Sequence, residues 1–200
     1  MATGKFSQDS DNVFLSNGKQ VRIRFLQQGE DGPIRELWPH LSPRTRYLRF
    51  LSILSSLPDS LLGRLISDND RRSMAIVAEH DTEGTPIVIG LANLGAVDDD
   101  SAEVGLVVRD DWQRQHVGTE LARTMMLAAE RRGIRRFIGH VLAENVAMRR
   151  LLKNIGVVVS AKPDGNVQEI AFVRRQAFGP SPEPTPSLTT KAGERRQALS

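Results

Sequence analysis

Apolar and polar positions along this chain follow two rhythms, and each change of rhythm marks an element. Residues 21–26 (VRIRFL) alternate apolar with basic positions, as in a strand with one wet face. Asp31-Gly32 then makes a turn, and Pro33 at a first helical position predicts a short helix over 33–41. Ser42 before Pro43 is a helix cap, predicting a second helix through Tyr47 and Phe50 to about Leu54. Pro58-Asp59 opens a third, burying Leu61, Leu62, Leu65 and Ile66. Residues 74–79 (MAIVAE) read as a strand, followed by a turn over 81–84. A longer strand covers 86–97, where Gly90 marks a bulge or bend. Three aspartates, 98–100, close that hairpin.

The next stretch organises the rest. A short apolar strand, 104–108 (VGLVV), enters a polar turn, 109–116. The turn opens into a helix over 117–132, with Val117, Leu121, Met125 and Ala128 on one face and Gly133 ending it. Residues 135–142 (RRFIGHVL) form a strand. Coming after a strand and a helix, it should lie parallel to 104–108 across a right-handed crossover. Asn145 caps a helix over 144–154 that Gly156 stops. Strands at 157–160 and 167–173 pair around Pro163-Asp164-Gly165. The sum is an α/β chain of mixed α+β type: a mostly antiparallel sheet, one parallel pair in its middle, helices on both faces. A crevice should open where the two parallel strands part.

Length and composition then set limits. The 200 residues suit one domain with tails, and 40% hydrophobic residues allow a sizeable core. Residues 1–18 are expected to be a flexible segment, 19–178 the folded domain, and 179–200 a disordered tail built around Pro180, Pro182, Pro184 and Pro186. With no cysteine there are no disulfides, cysteine-metal sites or cysteine nucleophile, which fits a cytoplasmic location. No stretch reads as a secretory signal or a bilayer span. The formal charge is +3, and Arg131, Arg132, Arg135, Arg136, Arg149, Arg150 and Lys153 concentrate the positive side. Phe137 is the lone aromatic among them and no nucleic-acid motif appears, which argues against nucleic acid and for a solvated face. His40, His80 and His140 show no metal-ligand spacing and read as structural.

A strand, a turn rich in backbone donors and a helix N-terminus form the physical recipe for holding a phosphate chain. The donors would be the backbone N–H groups of Gln115, His116, Val117, Gly118 and Thr119, with Arg109 or Arg114 adding charge. Gly118 admits a close phosphate, though it can also simply begin the helix.

These residues resemble the GNAT superfamily of acyl-CoA-dependent N-acetyltransferases. Its Q-x-x-G-x-G/A turn is met by Gln113, Arg114, Gln115, His116, Val117 and Gly118, with His116 in place of the first glycine. Its N-x-x-A…G pattern is met by Asn145, Met148 and Gly156. Residues 41–51 (LSPRTRYLRFL) and 142–149 (LAENVAMR) are similar to the catalytic domain of bacterial Pat-type protein lysine acetyltransferases. The resemblance implies a GNAT-like twisted sheet with a splayed parallel pair, and acetyl-CoA as the acyl donor, its pyrophosphate in the turn. The main chain of Val107 or Val108 would hold the pantetheine arm and donate to the thioester oxyanion, and Asn145 would add a cofactor contact. Glu103 would be the general base, tuned by burial. No metal is implied. The acceptor would be a protein lysine, or else a small amine, in a monomer or homodimer without nucleic-acid or membrane partners.

Two departures motivate a third reading, a non-catalytic acyl-CoA sensor. His116 would be strained where the family's glycine takes positive φ. Leu152 stands where many members carry a tyrosine that protonates the leaving thiolate. The lone tyrosine, Tyr47, belongs to the acceptor-side helix, where it packs or touches the acceptor.

Overall fold

The computed structural model describes residues 11–15, 17–66 and 72–175. Among them one eight-stranded sheet runs in the order β1-β2-β3-β4-β5-β6-β8-β7. Its strands are β1 (Asp11–Phe14), β2 (Gln20–Phe25), β3 (Ser73–Thr82), β4 (Thr85–Ala96), β5 (Ser101–Val108), β6 (Arg136–Leu142), β7 (Gly156–Asp164) and β8 (Val167–Arg174). The helices are α1 (Gly32–Leu37), α2 (Pro43–Phe50), α3 (Asp59–Leu65), α4 (Val117–Arg131) and α5 (Val146–Ile155).

β1 lies inside the stretch expected to be flexible to residue 18. It pairs with β2 from Asp11↔Ile23 to Phe14↔Gln20. Residues 1–10 and the proline-rich tail lie outside the described residues. Helix α2 ends earlier than expected, because Leu51 turns left-handed at φ 56. Ser42 caps it as expected, accepting from the Thr45 N–H. The bulge expected at Gly90 is present. Ala78 pairs with Gly90 and Glu79 with Val88, so Ile89 has no partner on β3.

The sheet separates two apolar layers. Helices α4 and α5 cover one face, where Leu121, Met125 and Met126 meet Ile76, Phe137 and Phe172. Helices α1 and α3 cover the other, where Ile34, Leu37, Leu61 and Leu65 meet Val77, Leu91 and Val107. Fully burying each such side chain contributes about 1.5–3 kcal/mol. α4 stops where its pattern stops. Gly133 takes φ 97, its N–H bonds Glu130, and the Ile134 N–H reaches back to Ala129. Gly156 ends α5 for a different reason than a left-handed turn. Its backbone is extended, and a Cβ there would lie 2.8 Å from the Phe172 ring and 2.9 Å from the Val173 carbonyl.

All strand pairs are antiparallel except β5 and β6. These pair only at Ser101↔Arg136, Ala102↔Phe137 and Glu103↔Ile138. Beyond that point β5 continues beside β4, to Gly90↔Val108, and β6 beside β8, to Leu142↔Val167. The expected crevice opens between them.

Candidate active site

A cavity of about 480 Å³ fills that crevice. Its walls run from Arg49, Asn93 and Gly105 to His116, Gly118 and Asn145. Its two ends are built differently.

One end is the turn after β5. Residues Asp110–Trp112 form a 3-10 turn, and Trp112 is buried. The Asp110 carboxylate accepts from the Ser42 N–H at 3.0 Å and the Thr45 hydroxyl at 2.6 Å, which ties the turn to the start of α2. The Gln113 side chain folds inward, donating to the Val108 carbonyl at 3.2 Å and to Asp110 at 3.1 Å. It braces the loop. Arg114 and His116 both take left-handed conformations, φ 59 and 67, so the strain expected at His116 is present. A left-handed residue followed by a helix turns successive N–H groups toward one side. Among the described residues no protein acceptor meets the backbone N–H of any residue from Arg114 to Gly118. The Thr119 N–H is already used, by the His116 carbonyl at 3.0 Å. Gly118 lets this cradle sit against β5 and α5. A Cβ there would stand 3.3 Å from both Leu106 and Leu151, tighter than packing normally allows.

The arginines separate. Arg114 lines the cavity. Arg109 bonds Asp111 at 2.8 Å, so its charge is already matched within the turn. Asn145 lines the cavity and also caps α5, accepting from the Met148 N–H at 3.1 Å. Leu152 is buried in the core.

Along the wall between the two ends, the parity of β5 decides which backbone groups are free. Residues in an antiparallel ladder alternate between bonding their neighbour and pointing away. The Arg109 N–H bonds Ile89 and the Val97 N–H bonds Ser101, which assigns the odd residues of β5 to β4. The Val107 amide is therefore engaged with β4, and its side chain is buried under α1 and α3. The amides of Leu106 and Val108 face the crevice. Of the two valines, only Val108 is free to serve as expected. Leu106 joins it, though nothing in its own sequence position marks it as a site residue.

The other end is a cluster of side chains. Arg49 of α2 lays its guanidinium over Gly105, in the space a Cβ would take. It donates to Asn93 Oδ1 at 2.5 Å and lies 5.0 Å from the Phe50 ring. Burial pushes its pKa down to about 10, against the pull of the Glu103 carboxylate. Glu103 occupies the last parallel pair, just where β5 and β6 part. The burial expected to tune it is absent, since 58% of its side chain is exposed. It has a partner instead. His140 Nδ1 lies 3.4 Å from Glu103 Oε1, and Nε2 lies 3.8 Å from Glu169 Oε2. His140 lines the cavity. Its sequence surroundings imply only a structural role, and the register of β6 against β5 and β8 brings it between two carboxylates. Tyr47 is not among the cavity's lining residues.

Fold and site together define an α/β protein that offers an unpaired backbone cradle to an anion and a carboxylate–imidazole pair at the far end of one crevice. The family model described as an acetyltransferase (GNAT) domain matches residues 28–158. The chain belongs to this family, enzymes that take an acetyl group from acetyl-CoA. It is 31% identical over 157 residues to Acetyltransferase PA5475 of Pseudomonas aeruginosa, covering 78% of this chain and 84% of that protein. Its fold matches the GNAT domain of S. lividans PAT with a TM-score of 0.73 at 21% identity, over 82% of this chain and 96% of that one. It also matches yncA, a putative acetyltransferase from Salmonella typhimurium solved with its cofactor acetyl-CoA. There the TM-score is 0.59 at 17% identity, covering 80% and 97% of the two chains. Among the described residues, no helix is long and apolar enough to cross a membrane.

Proposed function

We propose that this enzyme transfers an acetyl group from acetyl-CoA directly to the side-chain amine of a lysine in another protein, with Glu103 as the general base. The observation that carries the reading is the run of unpartnered N–H groups from Arg114 to Gly118 at the mouth of the crevice. Pyrophosphate is the ligand that such a cradle suits. Arg114 adds charge, and His116, Val117, Gly118 and Gln115 contribute main chain. Thr119 and Asn145 line the wall beside them, and Arg109 contributes through the fold of the turn. The pantetheine arm follows the free amides of β5, at Leu106 and Val108, with Val107 anchoring the strand from behind.

The chemistry is a direct displacement. The amine nitrogen attacks the thioester carbonyl, and the carbonyl oxygen takes negative charge. A crevice-facing amide of β5 donates to that oxygen. Before that attack the incoming ammonium gives one proton to Glu103, directly or by way of His140. The C–N bond then forms, the C–S bond breaks, and the second proton of the nitrogen passes to water. The thiolate leaves without a protein acid, because Leu152 has no proton to give; water protonates it. Glu103 and Glu169 are both part-exposed beside His140, so the acceptor side presents acid to an incoming ammonium. That acidity, with the Pat-type likeness of residues 41–51, favours a lysine acceptor.

The test is incubation with acetyl-CoA and a panel of proteins and small amines, read by mass spectrometry. Acetyl-lysine on proteins supports the reading. Acetylation of small amines alone overturns the acceptor, and thioester binding without any product overturns the catalysis.

A further inference from the structure

Arg49 is a charged group with too few partners. A guanidinium carries five N–H donors. Among the described residues, the only hydrogen-bond partner of this one is the neutral Asn93 side chain, with the Phe50 ring beside it. Glu103 attracts it from a distance, outside ion-pair contact. The position is nevertheless built. Gly105 withholds a side chain so that the guanidinium can lie on β5, Asn93 faces Gly105 across the ladder, and Asp110 fixes the start of α2. The open side of the guanidinium is the cavity itself. It lies one residue from Leu106, whose amide faces the crevice.

We infer that Arg49 receives a carboxylate carried on the acyl chain of the donor, so that this site favours a short dicarboxyl thioester of CoA, such as succinyl-CoA, over acetyl-CoA. The inference rests on the proposed course of the CoA arm along β5. A thioester carbonyl near Leu106 places a carboxylate three C–C bonds away, roughly 4 Å further on, within reach of the guanidinium. Planar bidentate pairing with a carboxylate is what the guanidinium does best. The acceptor is the other possible source of a carboxylate. On the proposed reading Glu103 and Glu169 face the incoming amine, so an acceptor that brought a carboxylate would meet them as well as Arg49, and the second arm of the test separates the two sources.

The test compares the dissociation constants of CoA, acetyl-CoA and succinyl-CoA for the full chain. Succinyl-CoA should bind about tenfold more tightly than acetyl-CoA, the gain of a charge-assisted pair. Arg49→Gln should bring that ratio to about one, and Gly105→Ala, which displaces the guanidinium, should lower it. Equal affinities in the unaltered protein overturn the inference whatever the variants do. If no CoA species binds, the reading of the turn fails and takes the inference with it. If all bind alike, only the role of Arg49 fails. A second arm pairs acetyl-CoA with acceptor amines that have or lack a carboxylate. An Arg49-dependent preference for the carboxylate-bearing acceptor, with no preference between donors, overturns the assignment to the acyl chain.

Discussion

The two ends of the cavity solve different problems with different material. The turn end is contiguous in sequence, from Gln113 to Gly118, and its donors are main-chain N–H groups. The far end draws Arg49 from α2, Asn93 from β4 and His140 from β6 into the cavity wall, with Glu103 of β5 and Glu169 of β8 beside His140 just outside it. Strand register assembles all of it but Arg49, through Asn93↔Gly105, Glu103↔Ile138 and His140↔Glu169, and α2 brings Arg49 over Gly105. A site made of backbone tolerates changes of side chain but not of shape. One made of side chains at fixed registers tolerates the reverse. The first should therefore govern binding of the donor, and the second the rate and choice of reaction.

The sharpest division comes from Glu103→Gln. The amide keeps the shape and removes the base, so kcat should fall by about 10²–10⁴-fold, the usual contribution of a positioned base. The dissociation constant of acetyl-CoA should move far less, because Glu103 does not line the cavity. An unchanged kcat would remove Glu103 from the mechanism. A loss that appeared mainly in donor affinity would break the division between the two ends.

Gly118→Val tests the turn from the opposite direction. Its new side chain must enter a gap in which even a Cβ stands 3.3 Å from Leu106 and Leu151. Overpacking of this kind costs about 1–3 kcal/mol. The cradle should be pushed off β5, weakening acetyl-CoA about tenfold or more by titration calorimetry. If only thermal stability fell and affinity held, Gly118 would be a packing residue alone.

The same division explains what could be read in advance. Residues 113–118, the helix after them and the cap at Asn145 were legible, because each is a local pattern whose physics acts within a few residues. So was Gly90, whose bulge a glycine inside a strand advertises. Arg49 and His140 were not legible as site residues. Nothing at helical or strand spacing links them to Glu103, and a lone histidine in a strand has no reading until its neighbours are known. The choice between Val107 and Val108 depends on the parity of the ladder, which neither residue's identity reveals. The strand at Asp11–Phe14 carries no alternation of its own, and its pairing with β2 supplies the order. The exposure of Glu103 was not legible either. Burial was expected, and the register instead set a histidine beside it.

Titration separates the ends as well. Backbone amides do not ionise, whereas burial holds the Arg49 pKa in the folded state at about 10, well below the ordinary guanidinium value. For a cation that direction means the folded state strains to hold the charge below pH 10 and is relieved of it above, so its deprotonation does not itself unfold the protein. Binding to Arg49 is another matter. Any excess affinity for succinyl-CoA over acetyl-CoA should be present near neutrality and vanish as pH rises through about 10, while the affinity common to both donors persists. Non-hydrolysable analogues of the two thioesters make the measurement practical, and Arg49→Gln should show no such step. An excess that survived well above pH 10 would place its origin in a group other than Arg49.

The smallest effect concerns His116, where the cradle relies on an awkward residue. Its φ of 67 is left-handed, and its side chain makes no capping bond. Such a conformation costs a residue with a Cβ of order 1 kcal/mol, and glycine adopts it freely. Glycine also loses more freedom on folding, which offsets part of the gain. His116→Gly should therefore stabilise the fold by no more than about 1 kcal/mol, a rise in Tm of about 2–4 °C for a chain of this size. The left-handed turn, and with it the free N–H groups of residues 114–118, should remain. His116→Val makes the opposite change, because a β-branched residue tolerates positive φ worst, and it should lower both Tm and donor affinity. If the glycine variant were instead less stable, the imidazole would have to make contacts that outweigh the strain. The turn would then depend on a side chain, and the contrast between a backbone end and a side-chain end would no longer hold.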